Sequence, residues 1–190
     1  KGLKNFIVEM SRDNGSLQCY YGSKEDKHSD YYPGEALLAL AKYHQMTNDP
    51  EVLDVLRSGL EYYNEYFPDI YTAYSPWATE AIAYLHDLEG GQKLKQKGYA
   101  MANACKRGQI GPTTMNDPFF IGAFSLRARS STSSRVEAVC DSYLMAERAN
   151  DTFEASRYKT SMDLCAGFLM RLQIDQEDSR NLPEPELSVG

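Results

Sequence analysis

The chain has 190 residues, of which 42% are hydrophobic, 12% aromatic and 25% charged, a composition that excludes disorder, a collagen-like repeat and a disulfide-dense scaffold. Its 20 Lys and Arg against 27 Asp and Glu leave a net charge of −7 and a pI near 5.0, a poor match for nucleic acid, whose phosphates draw affinity from clustered cations. No uncharged apolar run approaches the ~18 residues of a membrane span, so a membrane is not an expected partner either.

The first predicted element is a short apolar helix over Leu3–Met10, followed by a turn at Ser11–Ser16. Pro33-Gly34-Glu35 then opens a helical hairpin. Between Ala36 and Met46 apolar residues cover most of the helix circumference, as in a helix wrapped on several sides. Thr47-Asn48-Asp49-Pro50 ends it: Asp49 is placed to cap the next helix and Pro50 to occupy its first turn, where a missing N–H does no harm. The helix expected over Glu51–Phe67 is one-sided, with Val52, Leu56, Leu60, Tyr63 and Phe67 in one stripe and acids on the other face. An inner, wrapped helix is thus followed by an outer, half-wet one.

The same succession recurs. The segment from Ala39 to Met46 matches Ala81 to Leu88, 42 residues on, and an outer helix is expected from Gln92 to Arg107. Glu35-Ala36-Leu37 matches Glu137-Ala138-Val139, and Asn48-Asp49 matches Asn150-Asp151, both 102 residues on. The third outer helix carries Tyr158, Met162, Cys165, Leu169 and Leu172 in a stripe. The links Pro68–Pro76 and Gly108–Ser134 are long, and long structured links in compact domains line sites more often than they merely connect. Within the second, Pro118 to Phe124 is too apolar for a solvated tail and is expected to pack back as a short strand.

Cys19, Cys105, Cys140 and Cys165 form no CxxC pair, and His28, His44 and His86 are scattered, so neither a metal nor a disulfide framework is expected. The cysteines read as buried free thiols, and His44 and His86, at corresponding repeat positions, as structural. No cofactor fingerprint or Ser/His/Asp arrangement occurs. With Lys1 at the start, no signal-peptide core and a loop-like stretch from Asp175 to Pro185, the expectation is one α/α-hairpin domain over 1–190, cut from a longer protein and cytoplasmic.

Helix, Asp13-Asn14-Gly15, Tyr20-Tyr21 and then Tyr31-Tyr32-Pro33-Gly34-Glu35-Ala36 resembles the outer-helix, glycine-turn, inner-helix passage of the six-hairpin glycosidase-like α/α toroids. Ser75-Pro76-Trp77 and Ser134-Arg135-Val136-Glu137 are similar devices, and Leu182 to Gly190 looks like the start of another inter-hairpin loop. The resemblance implies an all-α chain forming an α/α toroid or an incomplete arc of one, three hairpins being visible where a complete ring has six. It also implies a cleft at the N-terminal ends of the inner helices, and a glycosidase, lyase or sugar epimerase.

Helix N-termini offer free N–H groups and a positive dipole end to polar ligands. The residues falling there are Asp30, Tyr31, Tyr32 and Glu35, then Tyr74, Trp77 and Glu80, then Arg135 and Glu137. Aromatics beside carboxylates suit a carbohydrate or another small polar ligand, whose ring stacks while its hydroxyls bond to charge. Glu35 and Glu137, matched in different repeats, are the candidate catalytic pair, since glycoside hydrolysis needs two carboxyls flanking one bond. Asp30, Tyr31, Tyr32, Tyr74, Trp77, Glu80 and Arg135 are the candidate substrate contacts. The alternative is a non-catalytic helical-repeat module that binds a protein or peptide on its concave face.

Overall fold

A computed structural model describes residues 2–22, 29–67, 73–114, 117–125, 131–174, 176–184 and 186. Among them are the helices α1 (Gly2–Glu9), α2 (Tyr32–Thr47), α3 (Pro50–Tyr66), α4 (Ser75–Glu89), α5 (Gln92–Lys106), α6 (Ser131–Arg148), α7 (Thr152–Leu172) and the four-residue α8 (Gln176–Ser179). Residues 68–72, parts of the 108–134 link and the last four residues of the expected terminal loop lie outside the described set, as does His28. None of the described helices is long and apolar enough to cross a membrane.

The hairpins form as the repeat requires. Helix α2 ends at Asn48 and α6 just before Asn150, and both asparagines adopt left-handed backbone (φ 52° and 55°), the helix-stopping conformation that Asn tolerates. The aspartate after each caps the outer helix: the Asp49 carboxylate accepts from the Glu51 N–H at 3.1 Å, and that of Asp151 from the Glu154 N–H at 3.3 Å. Two turns 102 residues apart are therefore built alike.

The helices make two layers. In the inner layer α4 packs between α2 and α6, and in the outer layer α3, α5 and α7 each pack against their hairpin partner, with α5 also against α6. Helix α1 lies against α2 and α3. Outer helix α3 turns one stripe inward, Val52, Leu56, Gly59, Leu60 and Tyr63. Inner helix α4 buries most of its circumference, with Ala78, Ala81, Ile82 and Leu85 facing the core. One apolar cluster unites α1 to α4, and a second, around Ala102, Val139, Tyr158 and Cys165, joins α5 to α7. None of the four cysteines is in a disulfide; Cys105 and Cys165 are buried, Cys19 and Cys140 partly so.

The strand expected within Pro118 to Phe124 does not form. Pro118–Phe120 is a single 3-10 turn, because Pro118 has no N–H to lend to a ladder and the Asp117 side chain caps the Phe119 N–H at 2.9 Å. The segment does pack back. Phe119 meets Phe168 edge-on at 6.2 Å, and Gly122 (φ +96°) passes so close to α7 that a Cβ would stand 1.8 Å from the Leu164 carbonyl oxygen. Only glycine fits there, on both counts.

Candidate functional site

At the start of α2, Gly34 sits in the leading turn, and a Cβ there would lie 2.8 Å from the Tyr74 carbonyl oxygen and 3.4 Å from the Trp77 Cβ. The missing side chain lets the leading turns of α2 and α4 touch. Tyr31, exposed, then meets the partly buried Trp77 edge-on at 5.9 Å. Two of the expected sugar-stacking aromatics thus stand together at the mouth of two inner helices.

Tyr74 requires a correction. It is fully buried and stacks on Phe67 at 4.8 Å and against Tyr63 at 6.0 Å, so its ring is core and offers no face to a ligand. Burial pushes its phenol pKa well up. Tyr32 is half in the core, with a hydroxyl that finds no hydrogen-bond partner among the described residues. Arg135 donates to the Phe124 carbonyl oxygen at 3.0 Å, which ties the link to α6. Asp30, Glu35 and Glu137 are exposed.

The inner helices carry a second pattern. Glu35, Leu38, Lys42 and Gln45 on α2 follow one another at three- and four-residue steps, as do Trp77, Glu80, Tyr84 and Asp87 on α4 and Glu137, Asp141, Leu144 and Arg148 on α6. Each set is one helix face. On α4 that face is opposite Ile82, whose side chain is directed at Gly98 of the outer helix α5. Below their first members the three faces line one cleft of about 190 Å³, walled by Leu38, Ala41, Lys42 and Gln45, by Glu80, Ala83, Tyr84 and Asp87, and by Asp141, Leu144 and Arg148. Glu35, Trp77 and Glu137 occupy the turn above it on the same faces.

Two ion pairs cross the cleft, Lys42 with Glu80 and Arg148 with Asp87, joining α2 to α4 and α6 to α4. Among the described residues no cation pairs with Asp141. Burial first, then the Glu80 charge, with a smaller push from Glu137, raise its carboxyl to about 7 against a partial pull from Lys42. It therefore holds its proton far above the ordinary carboxylate range, beside a Glu80 whose carboxylate is paired with Lys42. A carboxylic acid poised near the operating pH next to a carboxylate is the arrangement that general acid–base chemistry uses. Tyr84, one turn beyond Glu80 on α4, has its hydroxyl 2.5 Å from Nδ1 of the buried His44.

Asp141 carries no local signal in the sequence, which groups Glu80 with the substrate contacts. An acid in mid-helix reads as a solvated face, and what makes Asp141 unusual comes from α2 and α4, 99 and 61 residues away in the chain. A signal was available: aligned by the repeat, Lys42, Tyr84 and Leu144 fall on one position, which marks the inner face of all three helices. Among the described residues no group of three or more His, Cys, Asp or Glu is arranged to hold a metal ion.

A larger groove of about 610 Å³ lies on the outer side, between α3, α4 and α5, with Leu60, Leu85, Leu94 and Ala100 in its floor and charged residues at its rim. No known protein family, no curated protein and no solved structure matches this chain.

Proposed function

We propose that this chain is part of a carbohydrate-active enzyme of the α/α-toroid kind, and that the inner-face cleft is its reacting centre. Its hairpins form an arc of the ring, with the inner faces of α2, α4 and α6 turned toward the axis. The observation that carries this is the placement of Asp141 beside Glu80 in a cleft shared by all three inner helices, where burial and the Glu80 charge push its carboxyl up to about 7.

The roles follow from the chemistry. Protonated Asp141 is the general acid that gives its proton to a glycosidic or ring oxygen. Ionised Glu80, held by Lys42, is the base or charge stabiliser. Tyr31 and Trp77, one to two turns nearer the leading ends, offer ring faces to a further sugar unit. Glu35 and Glu137, exposed above the cleft, are hydrogen-bonding groups at its entrance, and the catalytic pair moves from them to Glu80 and Asp141.

A turnover screen tests this with neutral and acidic oligosaccharides, measured as released reducing ends, unsaturated products and epimerised sugars. Substitutions Asp141→Asn and Glu80→Gln are expected to lower turnover at least a hundredfold while the protein stays folded. Turnover unaffected by both, or none with any glycan, contradicts the proposal.

The second reading is a non-catalytic module. The small volume of the cleft, about 190 Å³ against the ~300–1,000 Å³ of ordinary ligand sites, favours it. Binding without turnover, undiminished by Asp141→Asn, is its signature.

A further inference from the structure

The repeat supplies an internal control on the inner face. His44 of α2 and His86 of α4 are equivalent, and so are Tyr84 of α4 and Leu144 of α6. At the α2–α4 step, buried His44 meets the Tyr84 hydroxyl at 2.5 Å, with the rings edge-on at 5.9 Å. At the α4–α6 step, the position of Tyr84 is taken by a leucine, and Nδ1 of His86 is buried with no partner among the described residues. One inner-helix step therefore packs without the tyrosine. Packing alone does not explain the hydroxyl at the other step, and that is the step whose tyrosine lines the cleft with Glu80 and Asp141.

Among the described residues the two cations of the cleft are both engaged, Lys42 by Glu80 and Arg148 by Asp87. Neither is left to neutralise a ligand carboxylate, while Glu80, Asp87 and the ionised fraction of Asp141 repel one. A neutral sugar, which brings hydroxyl donors and a ring face, fits this charge balance.

Resting on the function proposed above, we propose that Tyr84 binds a hydroxyl of a neutral sugar in the inner-face cleft, with His44 as the positioning residue that fixes its phenol. With the imidazole neutral and its proton on Nε2, Nδ1 accepts the phenol proton. The lone pairs of the phenol oxygen are then turned to the ligand, which donates to them. His44 touches no substrate; it selects which way the phenol hydrogen bond runs.

Calorimetric titration of the whole chain with neutral disaccharides and with their uronate counterparts tests both halves. The wild type is expected to bind a neutral disaccharide and to bind the uronate at least tenfold more weakly. Tyr84→Phe, which keeps the ring, is expected to weaken binding about tenfold, the worth of one well-made hydrogen bond. His44→Leu is expected to do the same, and the double variant no more than either alone. His44→Asn returns an acceptor near the place of Nδ1 and is expected to recover part of the loss, which a purely structural histidine would not show. Thermal denaturation confirms that each variant is folded, and Tyr84→Phe carries the test if His44→Leu is not. Binding within twofold of wild type in Tyr84→Phe, or a uronate bound more tightly than its neutral counterpart, overturns the inference and leaves the sugar cleft standing. A wild type that binds no disaccharide of either kind overturns both.

Discussion

Replacing Asp141 by Asn converts the cleft acid into a permanent mimic of its protonated form, and the consequence for stability can be worked from the structure. The carboxyl stands at about 7 in the folded chain against an ordinary 3.8. A raised carboxyl holds its proton more tightly folded than unfolded, so its contribution is fully present below pH 3.8 and is lost as pH climbs through 7. At about 1.4 kcal/mol per pH unit, the interval corresponds to about 4 kcal/mol, and solvent in the open cleft reduces this to about 2–4 kcal/mol. Asp141→Asn is therefore expected to match the wild type near pH 4 and to exceed it by about 2–4 kcal/mol at pH 8. For a domain of this size that is on the order of 10 °C in melting temperature. Urea unfolding of both proteins from pH 4 to pH 8 reads the difference directly, and other titrating groups cancel between them. A difference that stays constant over this range, or that favours the wild type as pH rises, refutes the placement of Asp141 in a shielded, acid-rich site.

Two further substitutions test the frame that holds the cleft. Gly34→Ala puts a methyl 2.8 Å from a backbone oxygen that cannot swing away, and is expected to cost about 1–3 kcal/mol. Trp77, the single tryptophan, lies against that contact, so its fluorescence should shift in the folded variant; an unchanged melting temperature and spectrum would mean that the leading turns of α2 and α4 do not meet. Tyr63→Phe removes the hydroxyl that accepts from the buried Leu17 N–H at 2.8 Å, and an unmet buried donor costs about 1–3 kcal/mol in chemical denaturation. A loss below about 0.5 kcal/mol would show that the turn after α1 is not pinned to α3.

The frame was legible because local chemistry sets it. Asn48-Asp49 and Asn150-Asp151 announce the same turn wherever they stand, since a left-handed stop and a side-chain cap need only their neighbours. Stripes such as Val52, Leu56, Leu60 and Tyr63 likewise need only the helical period. Tyr74 shows where this ends. Beside Ser75-Pro76 it looks like Tyr31 beside Tyr32-Pro33, yet Tyr31 is exposed and Tyr74 fills a space against Phe67 and Tyr63 that nothing in its own segment predicts. Asp141 is the stronger case. Its acidity depends on which side of α6 faces Glu80 and Lys42, a property of three helices together, and a glutamate at a helix start such as Glu35 or Glu137 attracts attention only because its position is local.

The most direct measurement is the titration of the Asp141 carboxyl carbon by NMR in the wild type and in Glu80→Gln. If the inner faces of α2, α4 and α6 converge on one shielded acid pair, the wild-type midpoint lies near 7, and it falls toward ordinary carboxylate values when the Glu80 charge is removed and Lys42 is released. A wild-type midpoint below about 5, unmoved by Glu80→Gln, would show an ordinary solvated aspartate and no common cleft.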